Sequence, residues 1–236
     1  MSLLTSSLEN SRASRIAWLL QELNLDYEIK VYPKTLNGVG SEELLEVFPT
    51  GVSPVLTIIR EGREPKTIGE SGHIVSYLIE NFDPSGKFKP VTDDDKELMD
   101  FYLHFSEASL QSHLISMFVG SVARKQVPWP ISIITDQLLL KMNSAYYAKK
   151  LNINFKYLDS QLEKKGGGYF VGDHLTGADF MLDFPINACL FVGLDISREI
   201  ASGDVKEEFP NLYKWHQMIL KEPSRLEAEK KAKSKL

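Results

Sequence analysis

Cysteine is almost absent. Cys189 is the single one in 236 residues, so no disulfide can form within the chain and no Cys-x-x-Cys redox pair exists, which favours a reducing compartment. Long apolar runs are missing as well: no stretch approaches the roughly 20 residues of a membrane-spanning helix. Met1 to Arg12 lacks the basic segment and apolar run of a secretory signal. The expectation is a cytoplasmic protein with no integral membrane segment, peripheral association through the last helix being left open. Basic charge is not in excess either. Lys and Arg number 27 against 32 Asp and Glu, for a net charge of -5, which argues against a nucleic-acid partner. The histidines, His73, His104, His113, His174 and His216, lack the pairwise spacing of a metal site, so no metal is expected. Asp93-Asp94-Asp95 lacks the glycine and terminal glutamate of a calcium loop. Gly166-Gly167-Gly168 lacks the preceding strand and following Gly-Lys-Ser/Thr of a phosphate loop.

What is present divides into two textures. In the first third, strand and helix signals alternate. Leu3-Leu4-Thr5 is a short strand; Ile16, Leu19, Leu20 and Leu23 mark one face of a helix over about 12–23, with Asn24 as its stop. Tyr27 to Val31 alternates as a half-buried strand does. Ser41 with Glu42 and Glu43 opens a helix that ends before Pro49. Val55 to Ile59 and Lys66 to Ile68 flank a turn at Arg60-Glu61-Gly62-Arg63 and predict an antiparallel hairpin; Ser71 opens a helix with Ile74, Tyr77 and Leu78 on one face. The order β-α-β-α-β-β-α predicts a mixed sheet with helices on its faces. After the turn-rich linker Asp83 to Lys87, helical spacing takes over. Leu98, Phe101, Tyr102 and Phe105 form one stripe and Leu151, Phe155, Leu158 and Leu162 another. Asp93-Asp94-Asp95 starts the first of these helices. Pro128-Trp129-Pro130 interrupts the run, with Pro130 in the first turn of the next helix. The Lys- and Glu-rich close, Glu227 to Leu236, reads as a frayed, solvated helix end.

Four local patterns bear on chemistry. Asn10-Ser11-Arg12 lies where a strand feeds a helix start, a place that stabilises negative charge such as a thiolate. Ser11 there reads either as an N-cap or as a hydroxyl donor to sulfur. With no cysteine nearby, a thiol has to arrive with the substrate. Ser53-Pro54 enters a strand. A trans proline at a strand edge is one reading; the other is a cis bond that turns the Ser53 N–H and C=O toward an added extended peptide. Glu70-Ser71 stands at a helix amino terminus, where the serine suits a ligand carboxylate and the glutamate an ammonium group, or where both merely cap the helix. Thr176 with Asp179 has the form of a capping box, and Leu175 with Phe180 that of a hydrophobic staple, a pattern assigned to folding.

Taken in this order, the proline before the third strand, the Glu-Ser before the third helix and the capping box in a helical second half resemble the glutathione S-transferase superfamily. Asn10-Ser11-Arg12 through Trp18-Leu19-Leu20, Glu107-Ala108-Ser109-Leu110-Gln111 and Pro128-Trp129-Pro130-Ile131-Ser132 resemble its fungal and bacterial branch, typified by a yeast glutathione transferase. The resemblance implies a thioredoxin-like glutathione-binding domain over 1–82, a linker over 83–92 and an all-helical domain over 93–236. It implies glutathione as co-substrate: Ser53 pairing with its cysteinyl unit, Pro54 cis, and Glu70 and Ser71 holding the γ-glutamyl group. Ser11 matches the serine that activates the thiol, with Ser6 and Ser7 as rival donors. Tyr102, Phe105, Ser109 and Met117 are candidates for the wall of a hydrophobic electrophile pocket, or else core. Val52 stands where many relatives carry a lysine for the glycyl carboxylate. The implied function is conjugation of glutathione to small electrophiles by a homodimer. The alternatives are peroxide reduction at the same site, or a ligand-binding or regulatory protein without catalysis.

Overall fold

A computed structural model describes residues 2–8, 11–33, 42–192 and 197–235. Its first part is a four-stranded sheet in the order β2-β1-β3-β4, built from β1 (Ser2–Leu8), β2 (Tyr27–Tyr32), β3 (Val55–Ile59) and β4 (Lys66–Gly69). Strands β1 and β2 run parallel, joined through α1 (Ala13–Glu22), while β3 is antiparallel to both β1 and β4. Two further helices complete this part, α2 (Glu42–Val47) and α3 (Ser71–Phe82). The proposed cap Ser41 lies outside the described residues. β1 is longer than its apolar residues announce. It is bracketed by neighbours on both sides, and its Thr5 and Ser6 are buried, so the apolar alternation that marks an exposed-face strand is lost there.

The ends of these elements follow their residues. Asn24 adopts φ 50° after α1; Leu25 N–H reaches Leu20 C=O at 3.1 Å and Asn24 N–H reaches Gln21 C=O at 3.0 Å, the paired bonds of a Schellman stop. Gly62, at φ 70°, turns the β3–β4 hairpin, where a side chain would be strained.

Beyond Phe82 the described residues hold only helices. Asp83 does not behave as a loose linker residue. Burial raises its carboxyl, but bonds from Phe88 N–H (2.8 Å), the Ser85 hydroxyl (2.9 Å) and Lys87 N–H (3.0 Å) outweigh this and hold it below the usual carboxylate range. One rod comprises α4 (Asp93–Phe105), a π-helical segment Ser106–Gln111 and α5 (Ser112–Gln126). Thr92 and Asp95 form a reciprocal capping box at its start, a cap the acidic run alone did not reveal. After the cis Trp129–Pro130 peptide come α6 (Ile131–Met142), a π segment Asn143–Tyr147 and α7 (Ala148–Lys165). Pro130 precedes this helix rather than sitting in its first turn. The buried stripe Leu151, Phe155, Leu158 and Leu162 lies on α7.

The central helix α8 (Gly177–Asp183), continued by a π segment Phe184–Phe191, packs on α1, α3 and α4. Trp18 meets Phe180 edge-on at 4.5 Å between ring centres. Gly177 permits the close approach of α8 to α4 and α3: a Cβ there would lie 3.2 Å from Met99 Sδ and 3.3 Å from Val75. Short helices α9 (Ser197–Ile200) and α10 (Val205–Glu208) lead to α11 (Pro210–Ile219) and α12 (Pro223–Lys233). The last of these begins ahead of the stretch expected to be a solvated helix end, and within that stretch Ala228 is buried while Glu227, Lys230, Lys233, Ser234 and Lys235 are exposed. α12 packs along α1, Ala228 and Arg225 are buried, and Arg225 Nε pairs with Asp183 at 3.1 Å. Trp18 Nε1 donates to Ser224 at 3.3 Å and Gln21 donates to Glu227 at 2.9 Å.

Candidate functional site

The sheet register gathers the predicted residues at one end. Ser6 pairs with Val55, and Val55 with Gly69. The segments Ser7–Leu8, Ser53–Pro54 and Glu70–Ser71 therefore leave the sheet side by side, and α1 and α3 both begin there. Asn10 lies outside the described residues. The Ser7 and Ser11 hydroxyl oxygens are 3.5 Å apart, Ser7 donates to Leu8 C=O at 3.0 Å, and Ser11 Oγ accepts from Ala13 N–H at 3.3 Å. Ser6, the other rival, is fully buried and its hydroxyl has no partner among the described residues.

The Ser53–Pro54 peptide is cis. Ser53 is buried, and its hydroxyl accepts from Leu8 N–H at 3.1 Å and donates to Ser6 C=O at 3.4 Å, fastening the turn to β1. Its carbonyl accepts from Arg12 Nη2 at 3.4 Å. Glu70 is exposed and adopts φ 67°, ψ 119°, a conformation non-glycine residues hold only when their surroundings enforce it. Ser71 is 2% exposed, and its hydroxyl has no hydrogen-bond partner among the described residues. A buried hydroxyl left so costs about 1–3 kcal/mol unless something else bonds to it.

The charged residues at this end include two that the sequence reading quoted without assigning a role. Arg12 Nη1 lies 2.5 Å from Glu107 Oε2, and Arg15 Nη2 lies 2.9 Å from Glu107 Oε1. Glu107 belongs to the π segment Ser106–Gln111, so one carboxylate of the helical part clamps Arg15 of α1 and Arg12 just before it. Arg15 is wholly buried and also donates to Met181 C=O at 2.9 Å and Arg12 C=O at 3.2 Å. Burial lowers its affinity for a proton, the carboxylate of Glu107 opposes this, and Arg12 adds to the lowering. A signal for this cluster was available. Two arginines three apart at a helix amino terminus oppose the dipole, and so call for a carboxylate from elsewhere.

The four residues proposed for a pocket wall separate. Tyr102 is buried in the core, 5.3 Å from both the Phe101 and Phe170 rings, and burial raises its phenol. Met117 is buried too. Phe105 is half-buried, stacked on Phe101 and tilted against Tyr157. Ser109 is half-buried, its carbonyl accepting from Asn154 at 2.7 Å. Cys189 is buried, and burial pushes its thiol up to about 12, which removes it as a nucleophile near neutrality.

A family model for the glutathione S-transferase N-terminal domain matches residues 8–86, and one for the C-terminal domain matches residues 134–227. The chain is 32% identical to glutathione S-transferase 1 of Saccharomyces cerevisiae over 96% of its own length and 94% of that protein. The chain belongs to the glutathione S-transferase family. Among solved structures it resembles a glutathione S-transferase from Actinobacillus pleuropneumoniae, with TM-score 0.70, 26% identity, and coverage of 97% of this chain and 92% of that one. It also resembles Ure2p5 from Phanerochaete chrysosporium, cocrystallized with 1-(S-glutathionyl)-2,4-dinitrobenzene, with TM-score 0.72, 23% identity, and coverage of 98% and 95%. Membership accounts for the thioredoxin-like sheet followed by helices. Among the described residues no helix is long and apolar enough to cross a membrane.

Proposed function

We propose that this chain binds glutathione extended across the sheet end and conjugates it, through its thiolate sulfur, to small electrophiles. The observation that carries the reading is the buried Ser71 hydroxyl, which finds no partner among the described residues and stands beside the constrained Glu70. In the proposed pose the γ-glutamyl carboxylate takes the Ser71 hydroxyl and N–H at the start of α3, while Glu70 takes the ammonium group. The cysteinyl unit pairs with the Ser53 backbone beside Pro54. Its thiol then lies at the start of α1, where Ser11 donates to sulfur. Val52 offers no charge to the glycyl carboxylate, which must be met by another residue. Phe105 and Ser109 border the electrophile, with Tyr102 and Met117 packed behind them. The names of the relatives support the same chemistry, and the reading includes the division at 82 and 93 and a homodimer.

The reaction is an ionisation followed by a substitution or addition. The thiol proton leaves to water, the sulfur electron pair forms a C–S bond to the electrophilic carbon, and any leaving group departs with its own pair. Lowering the thiol by about two pH units corresponds to about 2.7 kcal/mol in favour of the thiolate. A helix terminus and one charge-assisted bond are of that size.

The test is the ultraviolet difference spectrum of bound glutathione against pH, for the wild type and Ser11→Ala. Thiolate absorbance well below the free thiol's range, followed by turnover of a chloronitrobenzene, is the expected result, with Ser11→Ala shifting ionisation upward by about one unit. Turnover of a hydroperoxide alone would replace conjugation by reduction. Binding without ionisation would make the chain a carrier, and absence of binding would end the reading.

A further inference from the structure

The hairpin of α5 and α6 is the least covered part of the helical half. α6 has no buried residue, although seven of its twelve positions are Ile, Leu or Met. It packs on α5 along a narrow seam. There Arg124 pairs with Asp136 at 2.7 Å, and a Cβ on Gly120 would lie 3.4 Å from Leu139. On either side of the seam apolar side chains stand in the open. Ile131, Ile134 (72% exposed) and Leu138 line one flank at helical spacing, Ile133 and Leu140 the other, and exposed Trp129 closes the tip between the two helices. A contiguous apolar surface of this kind marks a place of contact.

The same stretch inverts the charge of the chain. From Ala108 to Lys150 the only acid is Asp136, against Arg124, Lys125, Lys141, Lys149 and Lys150, in a chain of net charge -5. Asp136 is taken by Arg124. The four lysines are exposed and form no ion pair among the described residues. Lys125 stands near the end of α5, close to the tip, and Lys141 follows Ile134 and Leu138 on the same flank of α6. At the opposite end of α6, Glu199 of α9 accepts from Asn143 at 2.8 Å. Two copies joined through this face would set cation against cation, and a protein partner seated on one flank would leave the other wet. An anionic lipid surface meets both flanks at once and complements the lysines.

We propose that the α5–α6 hairpin is a peripheral anchor for anionic phospholipid bilayers. Trp129, Ile131, Ile134 and Leu138 enter the interface, and Lys125 and Lys141 pair with lipid phosphates. The tip enters only part-way. Twelve helical residues rise about 18 Å, short of the roughly 30 Å of a hydrocarbon core, and tryptophan favours the boundary between headgroups and chains. This places peripheral association on the hairpin and not on the last helix, where the sequence leaves it open, because α12 lies against α1. The contact uses none of the residues at the sheet end, so it stands apart from the glutathione reading.

The test is flotation of the full chain with vesicles of phosphatidylcholine alone, or with about 30 mol% phosphatidylserine, at low salt. The wild type is expected to bind the anionic vesicles at least about 10-fold more tightly than the neutral ones. Its tryptophan emission should move to the blue, a shift that Trp129→Phe abolishes. Ile134→Asp combined with Leu138→Asp should weaken binding by at least about 10-fold through the apolar contact. Lys125→Glu combined with Lys141→Glu should do so by a similar factor through charge. All four positions are exposed, so circular dichroism should stay unchanged in both pairs. No flotation with anionic vesicles, equal binding to both vesicle types, or binding that either pair leaves unweakened would overturn the proposal. So would a wild-type dimer that Ile134→Asp with Leu138→Asp turns into a monomer without loss of vesicle binding, since the face would then join two copies.

Discussion

The helix that begins at Gly177 and the one that begins at Ser71 both place polar side chains in the interior, and they dispose of them in opposite ways. At the first, Asp179 is fully buried and accepts from Phe170 N–H (3.0 Å), Thr176 N–H (3.0 Å), the Thr176 hydroxyl (3.2 Å) and Trp215 Nε1 (3.1 Å). Burial pushes its carboxyl up, and those four bonds oppose the shift. At the second, the Ser71 hydroxyl is equally shielded and meets no partner among the described residues, next to a glutamate in a backbone conformation that nothing local favours. A polar group that holds the fold together is saturated by the fold itself. The open Ser71 hydroxyl, where three strand ends converge, is the group that the proposed function assigns to the γ-glutamyl carboxylate.

The strongest way to break this contrast is at Asp179. Asp179→Ala would orphan four donors at once and is expected to cost about 3–5 kcal/mol, read as a lowered urea midpoint with unchanged slope. A loss below about 1 kcal/mol would mean that the saturated network is not what holds α8.

A somewhat smaller effect is expected at His216, in the same helical interior. His216 is buried, bonded to Asn187 through Nδ1 and stacked on Phe191 at 4.8 Å. Burial first, then the charges of Arg225 and Lys206, lower it to about 4. The folded state therefore refuses a proton that the unfolded chain accepts near pH 6.5. Its stabilising contribution is complete above that pH and is lost as the pH falls toward 4, by about 2–3 kcal/mol. The difference in unfolding free energy between wild type and His216→Gln, followed from pH 7 to 4, isolates it.

The smallest stability effect belongs to Ser71 and sharpens the contrast most. Ser71→Ala removes a hydroxyl that supports nothing inside the described chain. Without glutathione, Ser71→Ala should not lower thermal stability, while glutathione affinity drops about 10-fold by calorimetry. A destabilised Ser71→Ala with unaltered binding would make Ser71 one more saturated structural residue.

Much of the fold was legible because it rests on local signals. The apolar period of 3.6 gave α1 and α7, alternation gave β2, and the Thr176–Asp179 spacing gave a capping box that the structure contains. What escaped rests on distant partners. Arg225 and Ala228 carry no apolar signature, so α12 reads as solvated until Asp183, more than forty positions earlier, is seen beside it. Thr5 and Ser6 hide the full length of β1 because a doubly flanked strand buries polar residues too. The sheet-end cluster was half legible. Ser11, Ser53, Glu70 and Ser71 each belong to a short motif, and the register brings their segments together. The Arg12–Glu107–Arg15 clamp spans two parts of the chain and announces itself only through two cations placed against a helix dipole. Tyr102 and Phe105 share a helix stripe, and nothing in that spacing distinguishes core from pocket wall.

The three tryptophans of the chain give it an unusual optical division of labour. Trp129 is 80% exposed, whereas Trp18 and Trp215 are almost wholly shielded, so a soluble quencher reaches one emitter and leaves two dark to it. Trp215 is bonded to Asp179 and reports on the helical interior. Trp18 lies on the helix that carries Arg15, with its indole N–H on Ser224 of α12. Release of that last helix would therefore be written in the emission of Trp18 before the rest of the molecule has changed colour.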